Sequence, residues 1–143
     1  QRKKTSLALG VLERPMITSG LLCLSLALYH EARGESHTGQ MMVAATIVNR
    51  VVSDRFPDDM CEVIMQPRQF SFVRKGKIPT PKDAKAWKAA HSLAEQILTD
   101  TRILPKTEAD HYHTTKVNPV WRKDLNRLKR VGNHIFYSYK PKN

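Results

Sequence analysis

The chain is short of acidic residues, and this shortage narrows the partners it can have. Its 24 lysines and arginines outnumber its 13 aspartates and glutamates, which gives a formal net charge of +11. Such a charge draws a protein towards polyanions: nucleic acids, anionic lipids, lipopolysaccharide or the acidic polymers of cell walls. Charge alone does not choose among these partners, and it names no reaction.

Cysteine is equally scarce. The two cysteines form no Cys-x-x-Cys pair and have no spacing to histidine that suggests structural zinc. Cys23 lies in an apolar run and Cys61 at the start of a predicted helix, so each can be a small buried hydrophobic residue. We therefore favour two free thiols over a single disulfide.

Long apolar runs, internal repeats and low-complexity tracts are also missing. The apolar run at residues 21–29 is too short to span a bilayer, and no small-residue cleavage pattern follows it. We interpret it as a buried helix. A chain of 143 residues has the size of one domain. We expect a basic lead-in over residues 1–15, closed by Pro15, and a single domain over residues 16–143.

The hydrophobic pattern predicts four helices and three short strands. Helices are expected from Thr18 or Ser19 to Arg33 and over residues 39–53, 60–65 and 83–98. Strands are expected over residues 69–73, 110–115 and 134–139. Together these elements indicate an α+β fold, mainly helical, with a small three-stranded antiparallel sheet.

Glu31 is the most informative residue of the sequence. It lies near the end of the first predicted helix, which is apolar on nearly every side and which Gly34 should terminate. Burial and the negative end of the helix dipole both disfavour a carboxylate, so both should raise the pKa of Glu31. A raised pKa suits a general acid that protonates a glycosidic oxygen. The alternative is a structural glutamate paired with Arg33 or Arg50.

Glu35 lies four residues further on and suggests a two-carboxylate glycosidase. Gly34 breaks the helix between the two glutamates, however, so the distance between their carboxyl groups does not follow from the sequence. Glu35 can equally be structural, for instance as an acceptor of backbone N–H groups at the start of the next helix.

A set of short motifs gives the chain a resemblance to a known family. The motifs are HEARGE (30–35), GQ (39–40), VAA (43–45), IVNRV (47–51), RFP (55–57), CEVI (61–64), QFSF (69–72), ADHYH (109–113), NPVW (118–121) and GNHIFY (132–137). In combination they resemble SleB-type cell wall hydrolases, which include spore-cortex lytic enzymes and relatives in Gram-negative bacteria and phages. The resemblance spans roughly residues 20–139.

The resemblance implies a compact lysozyme- or transglycosylase-like domain that cleaves the β-1,4 bond between N-acetylmuramic acid and N-acetylglucosamine in peptidoglycan. Family members studied as lytic transglycosylases use one glutamate as acid and then as base, while the muramic C6 hydroxyl attacks C1 and leaves a 1,6-anhydro end. Matched motif to motif, that glutamate is Glu31. A hydrolytic muramidase acting on the same bond is the alternative, and no cofactor is implied.

Substrate-binding residues are expected beside the catalytic glutamate. The candidates are Glu35, Gln69, Phe70, Ser71, Tyr112, His113 and Trp121. Gln69 and Ser71 would share one face of a strand and Phe70 the other, so only one of these sets can face the glycan.

The strand at residues 110–115 poses the same question, because Tyr112 and His113 lie on opposite faces and the resemblance does not say which face lines the cleft. Trp121 can stack on a sugar ring or anchor the core. Many relatives carry a further cysteine where this chain has Arg68 and Val73, which argues against a conserved disulfide at Cys61.

A metal hydrolase is a first rival interpretation. His30 and Glu31 match the first two residues of a His-Glu-x-x-His zinc motif, but Gly34 occupies the position where the second histidine is required. His111 and His113 could still chelate a metal with a carboxylate, although two such histidines on a strand are more often simple hydrogen-bonding residues. We expect no metal.

A nucleic-acid-binding module is a second rival, and a wall-binding domain without activity is a third. The densest basic run, residues 122–130, lacks a recognisable nucleic-acid-binding signature, so it is either a solvated face or a contact with an anionic envelope surface. The retained Glu31 argues against a domain that lost its activity. We expect a monomer that acts on peptidoglycan glycan strands in the bacterial envelope or periplasm, as a secreted or phage-encoded lysin, without a dedicated nucleic-acid partner.

Overall fold

A computed structural model describes residues 14–66 and 69–139. Over these ranges the chain forms four α-helices and a three-stranded antiparallel sheet. The elements are α1 (Arg14–Ala32), α2 (His37–Val52), α3 (Met60–Met65), α4 (Ala84–Thr99), β1 (His111–Thr114), β2 (Asn126–Val131) and β3 (His134–Ser138). The predicted α+β class, mainly helical with a small sheet, is confirmed.

Helix α1 is the centre of the core, as its apolar sequence predicts. It packs against α2, α3 and α4, and Leu24, Ala27 and Leu28 are buried there. It begins at Arg14, earlier than the predicted start, because a proline is tolerated in the first turn of a helix, where the backbone N–H groups have no intrahelical partner. The rest of the predicted lead-in lies outside the described residues. Within the described ranges, no helix is both long enough and apolar enough to cross a bilayer.

Helices α2 and α4 have the capping residues that fix their starts. The side chains of Ser36 and Asp83 accept hydrogen bonds from backbone N–H groups in the first turn of α2 and α4, respectively. Before α2, Gly34 adopts a φ of +87°, which ends α1 in the left-handed conformation that glycine tolerates.

The sheet has the predicted number of strands, and β1 and β3 are two of the predicted three, but the third predicted strand is wrong. Residues 69–73 form turns instead of a strand, and their alternation reflects a loop that buries Phe70 and Phe72 while it exposes Gln69 and Ser71. The third strand is β2, which pairs with β3 at the edge of the sheet in the order β1-β3-β2. Almost every residue of β2 is exposed, so it shows none of the apolar alternation that marks a strand in a sequence.

The prediction of two free thiols is wrong. Cys23 and Cys61 form a disulfide that joins α1 to α3, with their Cα atoms 5.3 Å apart. The two residues are 38 positions apart in the chain, and the sequence gives no sign that α1 and α3 pack side by side at this point. The pairing therefore depends on tertiary packing and needs no further cysteine near Arg68 or Val73.

Candidate active site

Glu31 lies in the last turn of α1, where its carboxyl group meets the sheet. Its Oε1 accepts a hydrogen bond of 2.5 Å from the hydroxyl of Tyr112 on β1. Burial raises the pKa of Glu31, and the hydrogen bond from Tyr112 only partly offsets this effect. Oε2 makes no hydrogen bond within the described part of the chain. The arrangement leaves one oxygen of a carboxyl group with a raised pKa available to a ligand.

Two residues of α2 place Tyr112 opposite this carboxyl group. Asn49 donates from its Nδ2 to the carbonyl oxygens of Thr107 and Ala109, each at 2.8 Å, and Arg50 donates from Nε to the carbonyl of Asp110 at 2.7 Å. These bonds fix the chain that enters β1. Burial and the nearby charge of Glu31 raise the pKa of Tyr112 well above its usual range, so the phenol keeps its proton and acts as a donor.

Glu35 is occupied by the turn between β2 and β3. Its two carboxylate oxygens accept hydrogen bonds from the backbone N and the side-chain Nδ2 of Asn133, both at 3.2 Å. Gly132 has a φ of +58°, a conformation that favours glycine, and a Cβ atom there would lie 2.4 Å from Oε1 of Glu35, so the Glu35 carboxylate could not keep its position. Glu35 does not cap α2 as expected; instead, the side chain of Ser36 accepts the hydrogen bond from the backbone N–H of Gly39. We call the contacts among Glu35, Gly132 and Asn133 the Glu35 clasp.

His134 connects the Glu35 clasp to the partner of Glu31. Its ring is buried, it packs edge-on against Tyr112 with 5.0 Å between centroids, and its Nδ1 lies 3.8 Å from Oε1 of Glu35. This Nδ1 atom has no hydrogen-bond partner among the described residues. Burial lowers the pKa of His134, an effect that Glu35 opposes and His113 reinforces.

His134 is not among the site residues predicted from the sequence, although a signal for it was present. His134 and Phe136 alternate along β3, and both lie on the face of the sheet that carries Tyr112, since Tyr112 pairs with Phe136 and Thr114 with His134. The GNHIFY motif therefore contained a site residue that alternation could have identified.

The loop with Gln69, Phe70 and Ser71 lies beside α1. Phe70 is buried against Tyr112, with 6.3 Å between ring centroids. Gln69 is exposed, and its Oε1 accepts a hydrogen bond of 2.8 Å from Arg50, while Ser71 is exposed. Phe70 thus contacts the Tyr112 side of the site, whereas Gln69 and Ser71 stand at the surface.

His30 attaches the same loop to α1 one residue before Glu31. Its ring stacks on Phe72 at 4.9 Å, and its Nε2 donates to the carbonyl oxygen of Pro79 at 2.9 Å. The loop is therefore held next to the end of α1 that carries the carboxyl group.

His113 and Trp121 lie on the other face of the sheet. His113 is buried, donates from Nδ1 to the carbonyl of Thr114 at 2.7 Å and accepts from the hydroxyl of Tyr137 at 2.8 Å. Trp121 packs on His111, His113 and Tyr137 with centroid distances of 5.3 to 5.7 Å. The geometry does not bring these two predicted binding residues together with Glu31, and their role in binding stays a prediction.

Two alternatives that the sequence left open can be compared with the geometry. Arg33 donates to the hydroxyl of Tyr29, and Arg50 donates to Asp110 and Gln69, so neither arginine pairs with Glu31. The Nδ1 of His111 lies 2.8 Å from Oδ1 of Asp110. Across the described residues, no group of three or more histidine, cysteine, aspartate or glutamate side chains could hold a metal ion.

Comparison with known proteins identifies relatives of the whole domain. A family model described as Cell Wall Hydrolase matches residues 34–137. Spore cortex-lytic enzymes of Halalkalibacterium halodurans and Bacillus subtilis are 36% and 34% identical over 117 and 118 residues, each match covering 79% of this chain. These matches cover 33% and 35% of the relatives, so the chain spans about a third of their length.

Solved structures show the same relationship. The catalytic domain of the Bacillus cereus SleB protein superposes with a TM-score of 0.66 at 32% identity, covering 85% of this chain and 91% of that domain. The catalytic domain of the germination-specific lytic transglycosylase SleB from Bacillus anthracis gives the same TM-score and identity, with 83% and 93% coverage. The match to the family model begins at Gly34, three residues after Glu31, so the role of Glu31 is argued from its surroundings.

Proposed function

The chain belongs to the SleB-type cell wall hydrolase family, and from this premise we propose that it cleaves peptidoglycan glycan strands. The proposed bond is the β-1,4 linkage between N-acetylmuramic acid and N-acetylglucosamine, and Glu31 is the proposed general acid. Residues 16–143 would form the single catalytic domain. The lytic activity named for the Bacillus anthracis relative agrees with this proposal.

The observation that carries the proposal is the environment of Glu31. A glycosidic oxygen is a poor leaving group until it is protonated, so the acid must hold a proton near neutral pH. Burial raises the pKa of Glu31, and its place in the last turn of α1 exposes it to the negative end of the helix dipole. Tyr112 fixes Oε1, which leaves Oε2 to deliver the proton.

The other nearby carboxylate is already engaged, and this favours a transglycosylase. Glu35 is almost buried and binds Asn133, so it is poorly placed to activate a water molecule or to attack C1. A lytic transglycosylase needs only one carboxyl group because the substrate supplies its own nucleophile. Glu31 would give its proton to the bridging oxygen as the C1–O4 bond breaks. Its carboxylate would then accept the proton of the C6 hydroxyl as O6 bonds to C1.

The setting follows from the substrate. Peptidoglycan lies in the bacterial cell envelope, so we propose the envelope or periplasm as the site of action, reached by a secreted or phage-encoded lysin that works as a monomer. The positive net charge of +11 would hold such a protein near anionic envelope polymers.

Mass spectrometry of the products released from purified Gram-negative sacculi tests the proposal. Anhydromuramic ends would identify a lytic transglycosylase, and reducing muramic ends would identify a hydrolytic muramidase on the same bond. If the protein releases no fragments while it remains folded, the glycosidase proposal fails for this substrate, and binding to the wall without catalysis takes its place.

Glu31→Gln should abolish cleavage while the fold stays intact. General acid–base catalysis contributes about 100- to 10,000-fold to a rate, and glutamine cannot supply the proton. Because the fold raises the pKa of Glu31 above 4.5, the native carboxyl group costs stability as the pH rises through that value. The variant should therefore be at least as stable as the native protein at neutral pH, as thermal unfolding would show. Full activity in the folded variant would refute the assignment.

A further inference from the structure

The outer face of the sheet, opposite Tyr112 and Glu31, carries a concentration of positive charge. It is covered by the connection between β1 and β2, which contains a short 3-10 helix at Val120–Asp124. We define the cationic face by four residues of this connection and by the two arginines of β2 that pair with outer-face residues of β3: Val117, Val120, Arg122, Lys123, Arg127 and Arg130. Within the described chain, none of its four cations forms a salt bridge with a carboxylate, although the exposed Asp124 lies beside them.

An irregularity in β2 puts two of the arginines on the same side. Arg127 pairs with Tyr137 and Arg130 pairs with Ile135, while the register shifts between Arg127 and Lys129. Paired residues of antiparallel strands project to the same face, so this bulge turns both arginines to the face of Tyr137, although they are three positions apart. A regular strand would have sent them to opposite faces.

The same face presents apolar side chains to solvent. Val120 is 80% exposed and Val117 is 49% exposed. The segment that carries them is held firmly, because the neighbouring Trp121 packs on the rings of His111, His113 and Tyr137. Val120 therefore projects outward from an anchored turn, with Arg122 and Lys123 directly after it.

We propose that the cationic face docks on the surface of an anionic phospholipid bilayer. Its arginines and lysine would contact the lipid phosphates, and Val117 and Val120 would enter the interface between headgroups and acyl chains. A soluble polyanion would need the charges alone, so the two exposed valines favour a membrane over a nucleic acid or an acidic polymer. The proposal is independent of the cleaved bond, since it concerns the face of the sheet that lacks Glu31.

Docking of this kind would leave the candidate active site free. Tyr112, which binds Glu31, lies on the face of β1 opposite His113 and Trp121. A bilayer held against the cationic face would thus be separated from Glu31 by the sheet, and the cleft would remain open to a glycan strand.

Co-sedimentation of the whole protein with vesicles tests the proposal. Vesicles of mixed phosphatidylglycerol and phosphatidylcholine should bind the protein, and vesicles of phosphatidylcholine alone should not. R127Q together with R130Q removes two charges and should weaken the apparent affinity for vesicles about 30-fold. Each basic residue near such a surface raises the binding constant roughly fivefold. The matched control K85Q with K88Q removes two exposed charges of α4 and should have a much smaller effect.

The apolar part is tested separately by V117S with V120S, which should weaken vesicle binding about tenfold because two inserted side chains become polar. Its control is V52S with I103S, two apolar residues located elsewhere that are 46% and 43% exposed. Circular dichroism verifies that each variant is folded, and cleavage of sacculi should be unchanged in all of them. No binding to the mixed vesicles would overturn the proposal. Equal effects of the charge variant and its control would also overturn it. The same holds if vesicle binding does not depend on the valines and the protein binds polyphosphate equally well.

Discussion

The two faces of strand β1 differ in how completely their polar groups are satisfied. On the inner face, Tyr112 donates to a carboxyl group whose pKa is raised by burial, and His134 beside it has an Nδ1 without a hydrogen-bond partner among the described residues. On the outer face, both ring nitrogens of His113 are paired, with Thr114 and with Tyr137. Tyr112 and His113 are neighbours in the chain, but their surroundings differ. Tyr112 lies where burial disfavours charged groups, whereas His113 lies where the polar atoms of its ring have hydrogen-bond partners.

This difference distinguishes a reactive site from a structural cluster of similar composition. Both faces are rich in histidine and aromatic rings, so residue types alone would not separate them. Buried groups that lack full pairing cost stability, and proteins tend to keep them at functional positions. The inner face therefore has the features of the active site, and the outer face those of an anchor for the segment around Trp121.

Trp121→Ala should have the largest effect on stability of the variants that compare the two faces. Loss of a large aromatic side chain from the cluster with His111, His113 and Tyr137 should cost about 3 kcal/mol of unfolding free energy. Urea denaturation measures this cost. Below its unfolding transition, the variant should keep the KM of the native protein, because Trp121 lies away from Glu31.

A large rise in KM with little loss of stability would contradict the prediction for Trp121→Ala. It would show that Trp121 stacks on the glycan, and the outer face would then have to be counted as part of the binding cleft.

Tyr112→Phe should act mainly on the reaction. The hydrogen bond from Tyr112 stabilises the Glu31 carboxylate and lowers its pKa, so its loss should raise that pKa further. The acid is active when protonated, so the alkaline limb of the kcat/KM profile should move to higher pH. The rate should fall about 30-fold, equivalent to roughly 2 kcal/mol for a hydrogen bond to an ionisable group.

Tyr137→Phe is the matched control on the outer face, because it removes the hydroxyl that bonds to His113. It should lower stability slightly and leave the pH profile unchanged. If the two variants shifted the profile alike, the distinction between the faces would be lost.

The sequence predicted the parts of this molecule that depend on local pattern. The apolar run that leads to Glu31 and the glycine at position 34 determine where α1 ends, and hence the environment of the carboxyl group. The hydrophobic pattern gave wrong predictions where tertiary contacts determine the structure. The buried phenylalanines at positions 70 and 72 produce the alternation of a strand in a loop, and the exposed strand β2 has no such alternation. The disulfide, the partner of Glu31 and the Glu35 clasp all join segments distant in sequence, which periodicity cannot reveal.

Glu35→Gln should have the smallest effect of these variants on stability and activity. It should also distinguish the role of Glu35 from that of Glu31. Glutamine can still accept from the backbone N of Asn133, but its amide NH₂ would face the Nδ2 donor, so we expect a loss of about 1 kcal/mol of unfolding free energy. The catalytic rate should fall far less than in Glu31→Gln. A loss of activity as large as that of Glu31→Gln would instead indicate a second catalytic carboxylate.

The pH dependence of this loss sharpens the test. The negative charge of Glu35 raises the pKa of His134, so its removal should lower that pKa further below 6.5. A histidine whose pKa is lowered in the folded state binds fewer protons than in the unfolded chain, and stability therefore falls as the pH drops through 6.5. The difference between the variant and the native protein should accordingly widen on acidification, as urea denaturation on both sides of this pH would measure. A constant difference would mean that Glu35 stabilises the turn through Asn133 and does not act on His134.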